Sequence, residues 1–326
     1  MELKTPLFDH LEQIAFVVED VYAAMQVFVD CGIGPWEILR FGDAHNGKTN
    51  FISIEDVVLE SRPTGTYAIV NGVCVLPESG VELELIQPLC GESIFADYLR
   101  QHGPGLQHLS IHHGTFDEAM GRIEATGHGR TQQAAVDTTE LCVFSDHRAL
   151  IGTDLELHRR PEVFIKPDVE TETYPEGGMP AGSRPLFTAF ERLGIVVDDL
   201  DAALHLLRDE YGIGPWQVTE STPRNYVREG KPVDCPASRV AICETLNVAL
   251  ELIEPGEGET GEWALRQRGT DAHHLTLKPA VPAGELLGCM ETAGHPVVQT
   301  MEVGGRRAAL CDLRSTFGVC FEIMEE

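Results

Sequence analysis

The chain repeats itself over most of its length, and this internal repeat constrains the fold more than any other feature of the sequence. Residues 13–25 resemble residues 192–204, and both stretches read as a short strand followed by an amphipathic helix with an acidic start. Further on, residues 144–157 align without a gap on residues 310–323. The repeat predicts an α+β fold with two βαβββ modules in each half. The four modules would pair into two domains, each with a curved mixed sheet that forms a cup.

The length of the chain and a change in composition predict where these domains end. At 326 residues the chain is long enough for two domains with cores of their own. The stretch between the halves is rich in Pro, Gly, Thr and Glu and has no apolar period, which is typical of a linker. We therefore expect a first domain at residues 1–160, a linker at residues 161–185 and a second domain at residues 186–326.

The balance of charge narrows the class of partner. Lysine and arginine total 24 against 52 aspartate and glutamate residues, which gives a formal net charge of −28. Such an acidic chain disfavours binding to nucleic acid or to an anionic membrane, and no stretch is long and apolar enough to span a bilayer. No signal peptide is visible, and the nine cysteines include no CxxC pair. We expect a cytoplasmic protein with reduced cysteines.

Two strand-like stretches each place a carboxylate in the middle of an apolar run, Glu84 in the first half and Glu251 in the second. An ionised carboxylate in an apolar strand is costly unless it is paired or bound to a metal. Each stretch is followed, at nearly the same distance, by a strand that carries a histidine, His108 or His274. The sequence therefore predicts one kind of polar site that is built twice.

The alternation of side chains along a strand predicts which of them share a cavity. If the two modules of the first half close into a curved sheet, Gln13, Glu84, His108 and Glu156 all point inward. Two carboxylates, an imidazole and an amide oxygen suit one divalent cation, namely zinc, nickel, cobalt, manganese or ferrous iron. Calcium and magnesium fit less well because they favour all-oxygen shells. His10 could ligate instead if the register of its strand slips.

Four motifs of the first half carry a resemblance to a known family. They are an opening strand with an acidic pair, a Glu-Leu-Ile-Gln-Pro-Leu strand, a Gly-Pro-Gly-Leu-Gln-His-Leu strand and a closing Asp-Leu-Glu-Leu strand, at residues 13–20, 84–89, 103–109 and 154–157. With these motifs both halves resemble the vicinal oxygen chelate superfamily, which includes glyoxalase I, methylmalonyl-CoA epimerase, extradiol dioxygenases and bleomycin-resistance proteins. The resemblance implies metal ligands at Gln13, Glu84, His108 and Glu156. This ligand order is similar to that of glyoxalase I, whereas the middle motifs look more like those of the epimerases.

The second half departs from this pattern at one ligand position. Its matching residues are Arg192, Glu251, His274 and Glu322, and an arginine cannot ligate a cation. The guanidinium would stand where the metal stands, and it could pair with Glu251 or Glu322. His273 is expected to point away, because neighbouring strand residues face opposite sides. We therefore predict one metal per chain, in the first half, and a degenerate site in the second.

The resemblance also implies an enzyme, an isomerase, epimerase or lyase that holds a substrate through two vicinal oxygens. Such an enzyme removes a proton from the carbon next to a carbonyl group, and Glu156 or Glu84 would act as the base. His112 and His158 share a strand face with the ligands and are further candidate acid or base groups. No cofactor other than the metal is predicted.

Two other functions are compatible with the sequence. A ring-cleaving extradiol dioxygenase fits the four-module length, but such enzymes use two histidines and a carboxylate in the second half, where Arg192 stands. A non-catalytic binding protein would use the acidic cup to sequester a ligand, as resistance proteins do. The expected partner is in each case a small molecule, and a homodimer is compatible with the sequence.

Overall fold

The computed structural model describes residues 4–42, 52–136, 140–160, 172–256 and 269–325. The strands of the first half are β1 (Phe8–Val17), β2 (Trp36–Phe41), β3 (Ile54–Leu59), β4 (Arg62–Pro63), β5 (Ala68–Val75), β6 (Glu82–Cys90), β7 (Gly105–His113), β8 (Arg130–Val136), β9 (Glu140–Asp146), β10 (Asp154–Arg159) and β11 (Glu172–Tyr174). Those of the second half are β12 (Phe187–Val196), β13 (Gln217–Ser221), β14 (Arg224–Arg228), β15 (Lys231–Pro232), β16 (Ser238–Cys243), β17 (Ala249–Glu254), β18 (Asp271–Pro279), β19 (Val297–Val303), β20 (Arg306–Asp312) and β21 (Cys320–Met324).

Helices connect these strands at matching places in the two halves. In the described residues they are α1 (Val21–Asp30), α2 (Ile94–His102), α3 (Phe116–Ala125), α4 (Arg148–Ile151), α5 (Leu200–Leu204), α6 (Ala283–Thr292) and α7 (Arg314–Phe317). Helix α5 continues into a π-helical segment, His205–Glu210. A further helix that the repeat predicts at residues 261–267 lies outside the described residues.

The two sheets have the same strand order, which confirms the predicted α+β fold. The first contains the order β2-β5-β6-β1-β7-β10-β9-β8, and the second contains β13-β16-β17-β12-β18-β21-β20-β19. In each sheet the first strands of two βαβββ modules pair antiparallel at the centre, β1 with β7 and β12 with β18. Each first strand also pairs in parallel with the last strand of its own module. The central four strands therefore carry the residues that the repeat matches.

Each sheet also has strands that the repeat did not predict. The hairpin β3–β4 attaches to β8, and the hairpin β14–β15 attaches to β19. Strand β11 pairs with β2 at the other edge of the first sheet, although it lies within the predicted linker. Residues 161–171 of that linker lie outside the described residues, and the predicted domain boundaries stay a prediction.

Helix α1 begins and ends as the sequence predicts. The Asp20 carboxylate accepts hydrogen bonds from two backbone N–H groups of the first turn. After the helix, Gly32 has a φ of +75°, and a Cβ atom there would lie 2.0 Å from the carbonyl oxygen of Arg184. In the second half Gly212 has a φ of +69° and would meet the carbonyl oxygen of Lys4 at 2.6 Å. Each glycine turn thus receives the chain that enters the other half.

The two halves share one apolar core. The ring of Phe28, on α1, lies 5.4 Å from the ring of Phe317 and 5.9 Å from that of Phe321, and Phe16 lies 5.6 Å from Phe317. Phe16 therefore faces the shared core. Because side chains alternate along β1, Gln13 and Ala15 face the opposite side, which is the inner face of the first sheet. No helix in the described part of the chain has both the length and the hydropathy of a membrane span.

Candidate metal centre

Two neighbouring rows of side chains cross the four central strands of the first sheet. The strand register aligns Glu82, Gln13, Ser110 and Glu156 in one row, and Glu84, Ala15, His108 and Asp154 in the next. Residues that pair across strands point to the same face, so both rows line the inner face. A register shift beside His108 brings Gln107 next to it, at 2.6 Å between its Oε1 atom and His108 Nδ1.

Three of the four predicted ligands are in contact. The Nε2 atom of His108 lies 3.4 Å from Glu84 Oε2 and 3.3 Å from Glu156 Oε2. His108 is 1% exposed and Glu156 is 5% exposed. Asn71, on β5, donates a hydrogen bond of 2.5 Å to the other oxygen of Glu84. Gln13 lies in the row of Glu156, and its amide nitrogen donates to Glu82.

His158 completes a buried group around Glu156. Its Nε2 atom lies 3.0 Å from Glu156 Oε2, and its Nδ1 atom lies 3.5 Å from the sulfur of Cys142. Glu156, His158 and Cys142 offer donor atoms within 4.8 Å of one another, as a metal site requires. The alternation along β10 indicated that His158 faces this cavity, but no sequence pattern indicated Cys142, because it belongs to a different strand.

His112 lies at the rim, away from this cluster. Its Nδ1 atom is 2.8 Å from the Asp9 carboxylate, and its ring stacks on that of His10 with the ring centres 4.2 Å apart. His10 contacts the same carboxylate at 2.7 Å. The structure therefore brings neither His10 nor His112 into contact with Glu156. His112 and His158 both line an open groove of about 480 Å³. The catalytic role of His112 stays a prediction.

The positive charge of His108 and the negative charges of Glu156 and Glu84 stabilise one another. Burial alone lowers the pKa of His108, but the negative charges of Glu156 and Glu84 outweigh it and raise that pKa to about 9. Burial alone raises the pKa of Glu156, but the imidazoles of His158 and His108 hold it well below its usual range. Without a metal, a protonated His108 therefore neutralises part of the carboxylate charge. A bound cation would take over this role.

The donor set fits a divalent metal. The buried atoms His108 Nε2 and Glu156 Oε2 lie 3.3 Å apart, and neither has a partner with the geometry of a hydrogen bond among the residues that the structure describes. Buried polar atoms without such partners are costly, and coordination to a cation would satisfy both. Imidazole with carboxylates suits zinc, nickel, cobalt, manganese or ferrous iron. These residues are therefore candidate ligands, and which metal they hold is not fixed by the donor set.

The matching site of the second half is built differently. Arg192 Nη1 lies 3.3 Å from Glu251 Oε2. This is one of the two ion pairs that the sequence suggested for Arg192. His274 Nε2 lies 3.4 Å from Glu251 and 3.6 Å from Glu322. The expectation that His273 points away is wrong, because a register shift in β18 places its Nδ1 atom 3.0 Å from that of His274. Both histidines line one cavity.

Comparisons with known proteins agree with this architecture. Residues 12–142 match the family model described as Glyoxalase/Bleomycin resistance protein/Dioxygenase superfamily. No curated protein sequence matches the chain. Among solved structures, a mutant of 4-hydroxymandelate synthase from Streptomyces coelicolor is similar over 98% of this chain and 93% of its own, with 13% identity and a TM-score of 0.59.

Two further structures are similar to parts or all of the chain. A xylose isomerase-like TIM barrel/4-hydroxyphenylpyruvate dioxygenase fusion protein matches 99% of this chain and 50% of its own, with 12% identity and a TM-score of 0.54. A methylmalonyl-CoA epimerase from Mycobacterium tuberculosis covers 49% of this chain and 93% of its own at 19% identity, and its TM-score of 0.34 is too low to support an argument. At these identities the likenesses concern the fold alone.

Members of the matched superfamily are mostly metal-dependent enzymes. The sequence match lies in the half that carries the buried cluster of Glu84, His108 and Glu156. The second half repeats the strand order of the first, and the fold of the whole chain is that of two-domain glyoxalase-like proteins. Residues 12–142 therefore match the Glyoxalase/Bleomycin resistance protein/Dioxygenase superfamily, also called the vicinal oxygen chelate superfamily, and the whole chain has the fold of two glyoxalase-like halves in tandem.

Proposed function

We propose that the chain is a divalent-metal-dependent isomerase, epimerase or lyase that moves a proton on the carbon next to a carbonyl group. Its substrate is a small molecule with two vicinal oxygens, bound in the first half. The observation that carries the proposal is the placement of two carboxylates, a buried one (Glu156) and a partly buried one (Glu84), around His108. Glu84 and Glu156 lie on strands to either side of β7, and both approach the same ring nitrogen within 3.4 Å.

Two carboxylates in this arrangement suit proton transfer. Epimerisation needs one group that removes a proton on one face of the substrate and a second group that returns a proton on the other face. Glu156 is the first candidate for the base, because it is nearly buried and His158 lies 3.0 Å from its Oε2 atom. Glu84 is the second candidate, and the hydrogen bond from Asn71 orients it.

Glu84, His108 and Glu156 would hold the metal, with Gln13 as the fourth candidate ligand. A divalent cation at this place supplies a Lewis acid for the carbonyl oxygen. The apolar surroundings of His108 keep water away, since the rings of Phe144 and Phe95 lie 5.1 Å and 6.2 Å from its own. Electrostatic stabilisation of a developing negative charge is stronger in such a water-excluded site.

A second candidate function is a non-haem iron oxygenase, and the position of His158 favours it. His108 and His158 approach the same oxygen of Glu156 at 3.3 Å and 3.0 Å. Two histidines and one carboxylate form the ligand set of many such oxygenases. The oxygenase site would then lie in the first half, whereas the resemblance to extradiol dioxygenases implies a site in the second half. The one similar structure above whose name includes a dioxygenase, the 4-hydroxyphenylpyruvate dioxygenase fusion protein, agrees in fold with this alternative.

The two candidate functions differ in their need for oxygen. Proton transfer consumes no oxygen, whereas an oxygenase reaction does. We would incubate the metal-loaded protein in D₂O with hydroxyacetone, dihydroxyacetone and pyruvate, and follow loss of the carbon-bound proton by NMR. A parallel assay would follow oxygen consumption with catechol and ferrous iron. The matched control is His108→Ala, which removes the imidazole that both functions need.

The proposal predicts proton exchange that depends on the metal and on His108 and that consumes no oxygen. Oxygen consumption with catechol, in the absence of exchange, would support the oxygenase instead. If the protein binds metal but catalyses neither reaction with substrates of these classes, the non-catalytic binding function gains support and the proposal loses it.

A further inference from the structure

A series of buried polar contacts begins at the ring nitrogen of His108 that faces away from the candidate metal centre. His108 Nδ1 lies 2.6 Å from Gln107 Oε1, and the amide nitrogen of Gln107 donates a hydrogen bond of 2.8 Å to Asp154 Oδ2. These three side chains belong to residues that are at most 2% exposed. Arg148 ends the series, because its Nε atom lies 3.1 Å from the other oxygen of Asp154.

The chemistry of these groups determines which atom donates in each contact. Burial raises the pKa of Asp154 to about 6 although the charge of Arg148 opposes this rise, so the carboxylate is ionised at neutral pH. An ionised carboxylate only accepts hydrogen bonds, and the amide of Gln107 must therefore turn its nitrogen towards Asp154 and its oxygen towards His108. An amide oxygen also only accepts, so Nδ1 of His108 carries a proton. The nitrogen that faces the carboxylates of the metal centre is then Nε2.

The matching positions of the second half hold residues that do not determine these roles. Nδ1 of His274 lies 3.0 Å from the imidazole of His273, and an imidazole nitrogen can either donate or accept. Cys320 occupies the position of the buried carboxylate, and Arg314 pairs with Asp312 at 2.7 Å. Within the part of the chain that the structure describes, the series is therefore a feature of the half that carries the candidate metal centre.

We propose that Gln107 and Asp154 are positioning residues that keep His108 protonated at Nδ1 and direct its Nε2 atom at the metal. In metal sites the second nitrogen of a ligating histidine usually donates to an oxygen, which fixes the orientation of the ring and makes the ligating nitrogen more basic. The inference rests on the metal centre of the proposed function, and it holds for both candidate reactions because both need His108.

The affinity for zinc measures how strongly these residues act on the ligand. Gln107→Leu keeps the approximate size of the side chain and removes both of its hydrogen bonds. We expect it to weaken zinc binding by roughly 10- to 100-fold, which is usual when such a partner of a ligand is removed. Asp154→Asn keeps an oxygen that can accept from Gln107, so its loss should be smaller than that of Asp154→Leu. Competition with a chromophoric chelator at neutral pH gives the dissociation constants.

A second buried glutamine provides the matched control. Gln132 is 0% exposed, as Gln107 is, and its side chain accepts from the backbone N–H group of Ile94 and donates to the hydroxyl group of Tyr67. Gln132→Leu should therefore leave zinc affinity unchanged. Equal losses in the two leucine variants, or wild-type affinity in Gln107→Leu, would overturn the proposal. Thermal unfolding followed by circular dichroism verifies that each variant is folded during the titration.

NMR of the histidine rings tests the tautomer itself, which a general loss of stability would not change. With ¹⁵N-labelled histidine in the zinc-loaded protein, protonated and metal-bound ring nitrogens give different signals, and His108→Ala assigns those of His108. We expect a metal-bound Nε2 and a slowly exchanging proton on Nδ1. This proton should exchange faster in Gln107→Leu but not in Gln132→Leu. Zinc bound through Nδ1, or unaltered exchange in Gln107→Leu, would refute the inference.

These measurements separate the inference from the proposed function. Zinc affinity that depends on Gln107, in a protein that catalyses no proton exchange, would support the positioning role and contradict the proposed reaction. Metal-dependent proton exchange, with zinc affinity that does not depend on Gln107, would support the reaction and overturn the positioning role. A wild type that binds no divalent metal would overturn both.

Discussion

At the scale of single residues, three substitutions in the matched inner rows of the two halves have large chemical consequences. Gln13 corresponds to Arg192, Glu82 to Ala249 and Asp154 to Cys320. The carboxylate that we assign as the base has an unchanged counterpart, since Glu156 corresponds to Glu322. A comparison of the same substitution at these two glutamates therefore separates the roles of the two sites.

The first prediction concerns this pair of glutamates. Glu156→Gln keeps an oxygen that can bind the metal but removes the basic carboxylate. We expect metal content to be largely retained and turnover to fall by roughly two to four orders of magnitude, as is usual for a positioned acid or base. Glu322→Gln should leave turnover almost intact. The measurement is the rate of solvent proton exchange at saturating metal. Loss of activity in Glu322→Gln but not in Glu156→Gln would contradict the prediction, because the active site would then lie in the second half.

Residue patterns predicted part of the site and missed the rest for a physical reason. Glu84, His108 and Glu156 were predicted because alternation along a strand fixes the face of each side chain. The contact between His273 and His274 was missed because a β-bulge interrupts this alternation, and bulges leave little trace in a single sequence. Cys142 and Asn71 were missed because their strands carry no motif of their own.

At the scale of elements, the repeat predicted the modules but not their hairpin additions. Strands β3 and β4 are joined through Glu60 and Ser61, which have φ values of +49° and +63°. Such a turn is usually made by Asn or Gly, so nothing in Glu-Ser indicates a hairpin. The matching turn of the second half contains Glu229 and Gly230, and only its glycine is a signal. Turns with positive φ at ordinary residues are therefore the feature that sequence reasoning overlooks here.

The second prediction concerns the glycine turn after α1. A Cβ atom at Gly32 would overlap the backbone of Arg184, which cannot move without disturbing the entry to β12. Gly80 has a similar φ of +66° but has open space around it. Gly80→Ala should therefore lower the free energy of unfolding by about 1 kcal/mol from backbone strain alone. Gly32→Ala should lower it by at least about 1 kcal/mol more.

Urea denaturation of both glycine variants provides this comparison. The difference between the variants measures the close approach between the halves, because the backbone strain is common to both. Equal losses would show that the contact between Gly32 and Arg184 does not contribute to stability.

At the scale of the whole molecule, the halves are joined by polar contacts as well as by their apolar core. His147, in the first half, is buried, and its Nε2 atom lies 2.7 Å from the hydroxyl group of Tyr211 in the second half. Its Nδ1 atom lies 2.9 Å from the carbonyl oxygen of Ser145. The neutral ring satisfies both contacts, since Nδ1–H donates to Ser145 and Nε2 accepts from Tyr211.

The third prediction is a loss of stability in acid that depends on His147. Burial lowers the pKa of His147 to about 4, whereas histidine in an unfolded chain titrates near about 6.5. The unfolded state therefore binds more protons between these values, and stability falls as the pH falls through this window. The stabilisation is fully present above about pH 6.5, and at most about 3 kcal/mol of it is lost towards pH 4.

The matched substitution for this prediction is His147→Leu, because leucine occupies the corresponding position 313. It should flatten the dependence of the free energy of unfolding on pH between 4 and 6.5. Replacement of the exposed His205 by glutamine is the control and should leave that dependence unchanged. An unaltered pH profile in His147→Leu would contradict the assignment of this histidine.

The central claim is that only the first of two similarly folded halves holds a metal. Metal analysis by mass spectrometry of the wild type, His108→Ala and His274→Ala tests it most directly. We predict one divalent cation per chain in the wild type, one in His274→Ala and almost none in His108→Ala. Two cations per chain, or a cation that disappears with His274 and persists without His108, would contradict the account.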